Sequence, residues 1–504
     1  MKLPFVNSSS IDHTLTNTRY EPKSVLDIRQ SPPSPVTCNS SSLDNYNNNN
    51  NISSFLPIEN FENGMINNHF EAEWDSDSIM KELGLYDDSN KSVTYPLSDL
   101  PDLPPYYHSE FDNINQNTVN PFDLMNQLDE GVNENYDHHE YDFRDELTRL
   151  ADCFETQSFQ LAQVILTRLN NRLRTPNGKP LQRAVFYFKE AIQTLLTGST
   201  RCLTSCTSLE IVQLIKAYKI FSNVSPIPLF SSFTANQAIL DVIDGSMNVH
   251  VIDFDIGLGG HWASFFKAVA EKAESGKVNS PAVRITAVVP EEYVLESKLI
   301  KENLCSFCGE LNIRFDIEFV SIRVFEFVSF KSVKFVNGEK TAVVLSPTIF
   351  RRIGGGFVND LRRVSPDVVV YVDGELSGYG NALFRQTVID GVELFTTVME
   401  SLEAANGGGG GGGGGEWMRS IEMFVLLPKI IAMVEDSGRR GTAWREVFGR
   451  AGMRPVVMSQ FAEFQAECLL RRVQVRGFHV AKRHAEMVLC WHDRPLVATS
   501  VWTC

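Results

Sequence analysis

The apolar positions along this chain change their period twice. From Met1 to about Glu140 they are sparse and scattered among Ser, Asn, Asp and Pro, with five consecutive asparagines at Asn47–Asn51. Such a segment cannot bury enough apolar surface to offset its ordering entropy, so residues 1–142 are expected to form a disordered acidic arm. Three acidic-hydrophobic clusters punctuate it, at Phe55–Phe61, Trp74–Tyr86 and Phe122–Leu128. In the second, Asp77 or Ser78 is placed to cap a short helix carrying Ile79, Met80, Leu83 and Leu85 on one side. From Asp145 to Gly245 the spacing becomes helical. Leu147, Leu150, Phe154, Leu161, Val164, Ile165, Leu169 and Leu173 mark an apolar face, Pro180 opens a helix through Leu196, Ser208 starts another, and Phe230–Ile243 follows. Leu161, Ile165, Leu169 and Leu173 recur every four residues, which drifts from a 3.5 repeat and favours helix-on-helix packing over a coiled coil.

From Val249 the pattern becomes strands alternating with helices, the mark of a parallel sheet with crossover helices. Strands are expected at Val249–Phe254, Val283–Val289, Ile313–Val320, Ala342–Leu345, Asp367–Val372 and Arg454–Met458. Helices are expected at Trp262–Ser275, Glu291–Leu311, Phe357–Val364, Asn381–Ala405, Glu416–Glu435, near Trp444 and at Ala462–Arg472. The nine glycines Gly407–Gly415 read as a surface loop. Three short strands close the chain, Val475–Val480, Glu486–Trp491 and Pro495–Trp502, and their turn-linked alternation makes the last of them antiparallel. The expected fold is α/β: a doubly wound, mostly parallel sheet resembling the S-adenosylmethionine methyltransferase fold, with antiparallel C-terminal strands and an N-terminal helical cap. Residues 143–245 would form the cap and 246–504 the core.

Charge divides the 504 residues in the same way. Residues 1–140 hold 6 Lys+Arg against 23 Asp+Glu, while the whole chain has a net charge of −16, so the remainder is close to neutral. The acidity belongs to the arm, and a neutral domain with basic faces remains compatible with nucleic acid. No run of 18 apolar residues and no signal-peptide core is present, so a soluble intracellular protein is expected. The 9 cysteines are irregularly spaced, as suits a reducing compartment. Cys202, Cys206, Cys305 and Cys308 lie in helical patterns without a nearby ligand histidine, so small buried residues are expected and not a metal site.

The candidate chemistry concentrates at Val249–Trp262, where a buried strand runs through an acidic pair into Gly257, Gly259 and Gly260 and then into a helix. Glycines there let backbone N–H groups approach a ligand, and the helix dipole favours negative charge. A methyltransferase would use Asp255, Gly257 and Gly259, with Glu291 as a second carboxylate. His261, however, replaces the third glycine, and Leu345-Ser-Pro347 and Val372-Asp-Gly-Glu375 stand where the Asn/Asp-Pro-Pro-Tyr sequence of amino-group methylation is sought. Neither Ser346 with His250 and Asp253 nor His479 with His484 has a catalytic context. No cofactor is therefore expected. Asp253 and Asp255 are expected to hold the turn by accepting backbone hydrogen bonds, and Trp262 to pin its helix. Basic residues cluster at Arg351, Arg352, Arg362 and Arg363, at Arg439, Arg440, Arg445 and Arg450, and at Arg471, Arg472, Arg476, Lys482 and Arg483. The last group is the candidate DNA or partner contact.

Val249-His-Val-Ile-Asp253 with Phe254–Trp262 closely resembles the signature of the plant GRAS-domain transcriptional regulators. Pro180–Ala191 and Ser225-Pro-Ile-Pro228 are similar to that family's first leucine-rich region. Arg476-Gly-Phe-His-Val480, Leu489-Cys-Trp491-His492 and Ser500-Val-Trp502-Thr-Cys504 are similar to its closing tryptophan-containing motif. Phe186-Tyr-Phe-Lys-Glu190 and Phe254-Asp-Ile-Gly257 resemble the hairy meristem (scarecrow-like) branch. The resemblance spans residues 143–504, and His261 stands where the family often has glutamine. It implies a nuclear regulator of shoot stem-cell maintenance with a methyltransferase-like fold and no transferase chemistry. It also implies dimerisation, binding to other transcription factors of the homeodomain class, and no membrane association.

Overall fold

In the computed structural model, the described residues are 136–198, 207–374, 383–406, 414–436, 443–472 and 475–504. The clusters at Phe55–Phe61, Trp74–Tyr86 and Phe122–Leu128 lie outside them. Five helices come first: α1 (Tyr136–Glu155), α2 (Phe159–Arg172), α3 (Pro180–Thr197), α4 (Ser208–Val224) and α5 (Pro226–Val242). Proline sits at the start of α3 and α5, where its missing N–H costs nothing. Thr207 and Glu210 close a capping box on α4.

The expected face of α2 is partly wrong. Its buried residues are Ala162, Ile165, Leu166 and Leu169, whereas Leu161 and Val164 are 53% and 59% exposed. A four-residue repeat advances about 40° per step around a 3.6-residue helix, so a stripe buried at Ile165 and Leu169 has rotated outward by Leu161.

The sheet is built from β1 (Asn248–Asp253), β2 (Ala282–Val289), β3 (Phe315–Ser321), β4 (Lys340–Leu345), β5 (Val368–Asp373), β6 (Arg454–Val456), β7 (Phe478–Arg483), β8 (Glu486–Trp491) and β9 (Arg494–Thr503). Its order is β3-β2-β1-β4-β5-β9-β8-β7, with β6 also pairing β9. The pairs among β1 to β5 are parallel, and those involving β6 to β9 are antiparallel. This is the expected doubly wound sheet with antiparallel terminal strands. Between the strands lie α6 (Gly260–Gly276), α7 (Val294–Glu310), α8 (Ile322–Val328), α9 (Pro347–Ile353) and α10 (Val358–Val364). Beyond β5 come α11 (Phe384–Asn406), α12 (Gly414–Ile421), α13 (Leu427–Asp436), α14 (Trp444–Arg450) and α15 (Gln460–Arg472).

Two boundaries move for local reasons. Gly414 and Gly415, expected in the glycine loop, belong to α12, which continues through a five-residue π segment, Glu422–Leu426, into α13. Strand β7 starts three residues later than expected because Gly477, at φ 109°, turns the chain and accepts a hydrogen bond from the His492 N–H.

Alternation along β1 separates two cores. Val249 and Val251 pack with Trp262, Phe265, Phe266 and Ile239 on one face. Ile252 and Phe254 pack with Val343, Tyr371, Trp444 and Trp502 on the other. A third core joins α1, α2 and α3 to α11 and the α12–α13 segment through Leu147, Phe186, Phe188, Phe395 and Ile430. At its centre the Arg183 guanidinium donates to Glu422 at 2.8 Å and to Glu403 at 2.5 Å, and the Tyr187 hydroxyl donates to Glu422 at 3.1 Å. Burial works against the Arg183 charge, but the carboxylates of Glu422 and Glu403 outweigh it and its pKa is raised. Burial pushes the Glu422 carboxyl up against the pull of Arg183.

Candidate functional site

Strand β1 delivers Asp253 to its C-terminal end with no exposed surface. One carboxylate oxygen accepts the Asp255 backbone N–H at 2.8 Å and the other accepts the Trp262 indole N–H at 2.8 Å. The second oxygen also lies 3.3 Å from His261 Nε2. A single side chain therefore ties the strand end, the turn and the first turn of α6. Asp255 has a different part from the one expected: its backbone N–H donates, and its side chain is exposed.

Two glycines carry the bend. Gly257 has φ 55° and Gly259, the N-cap of α6, has φ 80°. Both values lie in the left-handed region that side chains with a Cβ avoid. Gly260 is the first residue of α6. The His261 ring tilts against Trp262 at 4.8 Å, and its carbonyl accepts from Asn236 on α5 at 3.1 Å.

The turn is packed on one side and open on the other: a Cβ on Gly257 would meet nothing within 4 Å, whereas one on Gly259 would lie 3.1 Å from Ile300. Ile211, Val212 and Ile215 of α4 pack with Leu299, Leu258 and Leu295. The Tyr293 hydroxyl donates to the Gly257 carbonyl at 2.9 Å. Tyr218 of α4 is near enough to Asp255 that burial and that carboxylate together push its phenol up to about 12. The cavity bounded by Leu258, Gly259, Gly260, Ala263, Asn303 and Leu304 is about 10 Å³, room for about one water. Glu291, the second carboxylate sought, instead pairs with Arg323 at 3.1 Å and accepts from Ser321 at 3.3 Å. Glu291 and His261 thus depart from the arrangement a methyltransferase would use.

The remaining catalytic candidates stay apart. His250 points away from Asp253, to the opposite face of β1. Its Nε2 lies 2.9 Å from the Thr286 hydroxyl, and burial followed by the Arg284 charge lowers its pKa to about 4. Ser346 is buried at the start of α9 with no partner for its hydroxyl among the described residues. His479 is exposed and 3.6 Å from Asp493, and His484 occupies the β7–β8 turn at φ 57°. Cys308 is buried, but Cys305 is exposed, contrary to expectation. Both thiols are raised by burial, Cys308 to about 12. Cys202 and Cys206 lie outside the described residues, and no group of three metal-ligating side chains occurs among those described.

The GRAS domain family model matches residues 143–503. The chain belongs to the GRAS domain family. Scarecrow-like protein 15 of Arabidopsis thaliana is 48% identical over 473 residues, which are 86% of this chain and 93% of that protein. Scarecrow-like protein 6 of Arabidopsis thaliana is 35% identical over 364 residues, which are 71% of this chain and 62% of that protein. The crystal structure of SCL7 in Oryza sativa superimposes with a TM-score of 0.55 at 22% identity, over 71% of this chain and 99% of that one. It shares the fold.

Trp491 and Trp502 are both buried. Trp491 packs on Phe478 at 4.7 Å, while Trp502 packs on Phe448 at 5.0 Å and donates to Ser500 at 3.0 Å. The candidate basic contact is not a uniformly positive face. Arg471 lies 3.7 Å from Glu467, Lys482 2.5 Å from Glu463, and Arg483 3.0 Å from Glu486. Arg476 is exposed, and the Arg472 side chain is outside the described residues. Elsewhere Arg363 pairs with Asp360, Arg445 with Glu486 and Arg450 with Glu446. Arg362 donates to the Gly452 carbonyl, and Arg439 and Arg440 lie outside the described residues. No helix among the described residues is long and apolar enough to cross a membrane.

Two polar linkages of the fold escape sequence reasoning. The Arg183–Glu422 pair joins residues 239 positions apart, and its only local signal is an arginine inside the apolar run of α3. Asn236 donates to the His261 carbonyl and to Ser264, and no pattern in α5 marks it.

Proposed function

We propose that this chain is a nuclear transcriptional regulator of plant development that acts by contacting other transcription factors and catalyses no reaction. The observation that carries this reading is the turn's apolar seat, where Ile211, Val212 and Ile215 of α4 pack with Leu258. Family membership supports the regulatory role. The motifs at Phe186–Glu190 and Phe254–Gly257 support the hairy meristem branch, and with it a role in shoot stem-cell maintenance with homeodomain-class partners, by homo- or heterodimerisation. Within this reading residues 1–142 are an acidic arm with short interaction motifs, 143–245 a helical partner-binding layer, and 246–504 its α/β support. The experiment is a pull-down of the full chain with nuclear extract, with and without nuclease. Transcription-factor capture that survives nuclease supports the reading, and capture that vanishes with nuclease makes nucleic acid the primary contact.

Ion pairing along Arg471, Lys482 and Arg483 favours a protein partner over DNA at that surface. Charge reversal of Arg471 and Arg476 that leaves promoter occupancy unchanged supports this, and loss of occupancy overturns it. Titration calorimetry with S-adenosylmethionine addresses the enzyme alternative. No heat is expected at high ligand concentration, and micromolar binding would restore a methyltransferase.

A further inference from the structure

Helix α2 presents an unusual outer face. Leu161, Val164, Arg168, Asn171 and Arg172 fall within about 100° of one another around the helix, and all are exposed. The stripe runs from two large apolar side chains to a cluster of guanidiniums. At its basic end lies a cavity of about 280 Å³ lined by Phe143, Asn171, Arg172, Arg174, Thr175 and Gln182, among others. The Arg172 guanidinium lies over the Phe143 ring at 4.5 Å. Glu146 pairs with both Arg168 and Arg172 at 3.4 Å, whereas Arg174 meets no carboxylate among the described residues.

A complementary segment of the same chain begins a few residues away. Phe122-Asp-Leu-Met-Asn-Gln-Leu-Asp-Glu130 carries apolar side chains at Phe122, Leu124, Met125 and Leu128 and acids at Asp123, Asp129 and Glu130. Helix α1 packs along α2, and Phe143 under Arg172 sets their alignment, so Tyr136 at the start of α1 lies about 10 Å further along the helix from Phe143. The six steps from Glu130 to Tyr136 span up to about 20 Å when extended. Asp129 and Glu130 are thus tethered within reach of Arg172 and Arg174, at an effective concentration on the order of millimolar.

We infer that Phe122–Glu130 docks in cis on α2, with its acids on Arg168, Arg172 and Arg174 and its apolar side chains over the Val164–Leu161 stripe. The arm then masks an apolar face of the helical layer, and a partner for that face must first displace it.

The test uses the full chain and a full-length triple variant, F122A/M125A/L128A, whose substitutions lie outside the described residues. Hydrogen exchange at residues 159–177 is expected to be about tenfold slower in the native chain at a concentration where both are monomeric. A labelled peptide of residues 120–132 is expected to bind the triple variant and to bind the native chain about tenfold more weakly. Adding R174E to the triple variant weakens peptide binding and flattens its salt dependence. Equal exchange in the two chains overturns the inference, as does equal peptide binding to both. Protection that grows with protein concentration overturns it too, because a second copy would then cover the face.

Discussion

Asp253 and Asp255 stand two residues apart, and the structure assigns them opposite weights. Replacing Asp253 with Ala leaves the Trp262 indole N–H and the Asp255 backbone N–H without their acceptor. The buried Trp262 N–H left unpaired costs about 1–3 kcal/mol and the part-buried Asp255 N–H, open to water, costs less, so D253A should destabilise the domain by about 1–4 kcal/mol. D255A keeps the backbone N–H that does the work here and removes only an exposed carboxylate, so its cost should stay within about 0.5 kcal/mol. D253N retains one acceptor oxygen but turns an amide N–H toward a donor, and should fall between them. The assay is urea unfolding of the full chain followed by tryptophan fluorescence, with the midpoints compared at a common slope. If D255A proves as costly as D253A, or if D253A unfolds at the native midpoint, the carboxylate is not what holds the turn. A cofactor site would reverse the pattern, with Asp255 decisive for ligand affinity.

Three further outcomes test other parts of the fold. G259A forces a Cβ into φ 80° and to 3.1 Å from Ile300, so it should cost more than the about 1–2 kcal/mol of a left-handed residue. G257A, with φ 55° and open space around it, should cost no more than that, and the reverse order in chemical denaturation would refute the packing argument. R183M leaves Glu422 buried without its cation and should cost about 3–5 kcal/mol. R183M/E422Q should recover much of the loss, and a double variant as unstable as the single one would show that the pair is not the cause. His250, held near 4 when folded against about 6.5 unfolded, binds its proton more readily in the unfolded chain across that interval. Its contribution is therefore present above about pH 6.5 and is lost as pH falls, by about 2 kcal/mol between pH 7 and pH 5. H250Q should remove that component from the pH dependence of the unfolding midpoint, and an unchanged profile would assign it elsewhere.

The parallel half of the sheet was legible because its strands are buried on both faces and read as largely apolar runs, unbroken at Val368–Val370 and interrupted only by His250 in Val249–Ile252. Helix α8, seven residues long, offers less than two full turns of pattern and was missed, as was α9. The face of α2 was misjudged because an apolar stripe says which residues share a side and not which side meets the core. Leu161 and Val164 lie round the helix from Ile165 and Leu169 and so miss the core. The basic clusters misled in a different way. Arg450 and Arg471 each stand four residues after a glutamate, Glu446 and Glu467, and that spacing on a helix already pairs them. The Lys482–Glu463 pair, by contrast, bridges β7 to α15 and becomes visible only in the fold.

The glycine turn shows why the outline of a ligand site does not by itself report a ligand. Passing from β1 into α6 requires left-handed backbone at Gly257 and Gly259 whatever the turn faces, so the glycines report geometry and not occupancy. What distinguishes the two cases is the partner of the turn. Here Leu258 meets Ile211, Val212 and Ile215 of α4, and Asn236 of α5 grips the His261 carbonyl and Ser264. Two helices of the N-terminal layer are therefore fastened to the sheet through the turn. Loosening the turn must loosen the seat of α4 and α5 as well. On that argument a substitution at Asp253 reaches the helical layer through packing, and the partner binding proposed for that layer becomes sensitive to a residue it never touches.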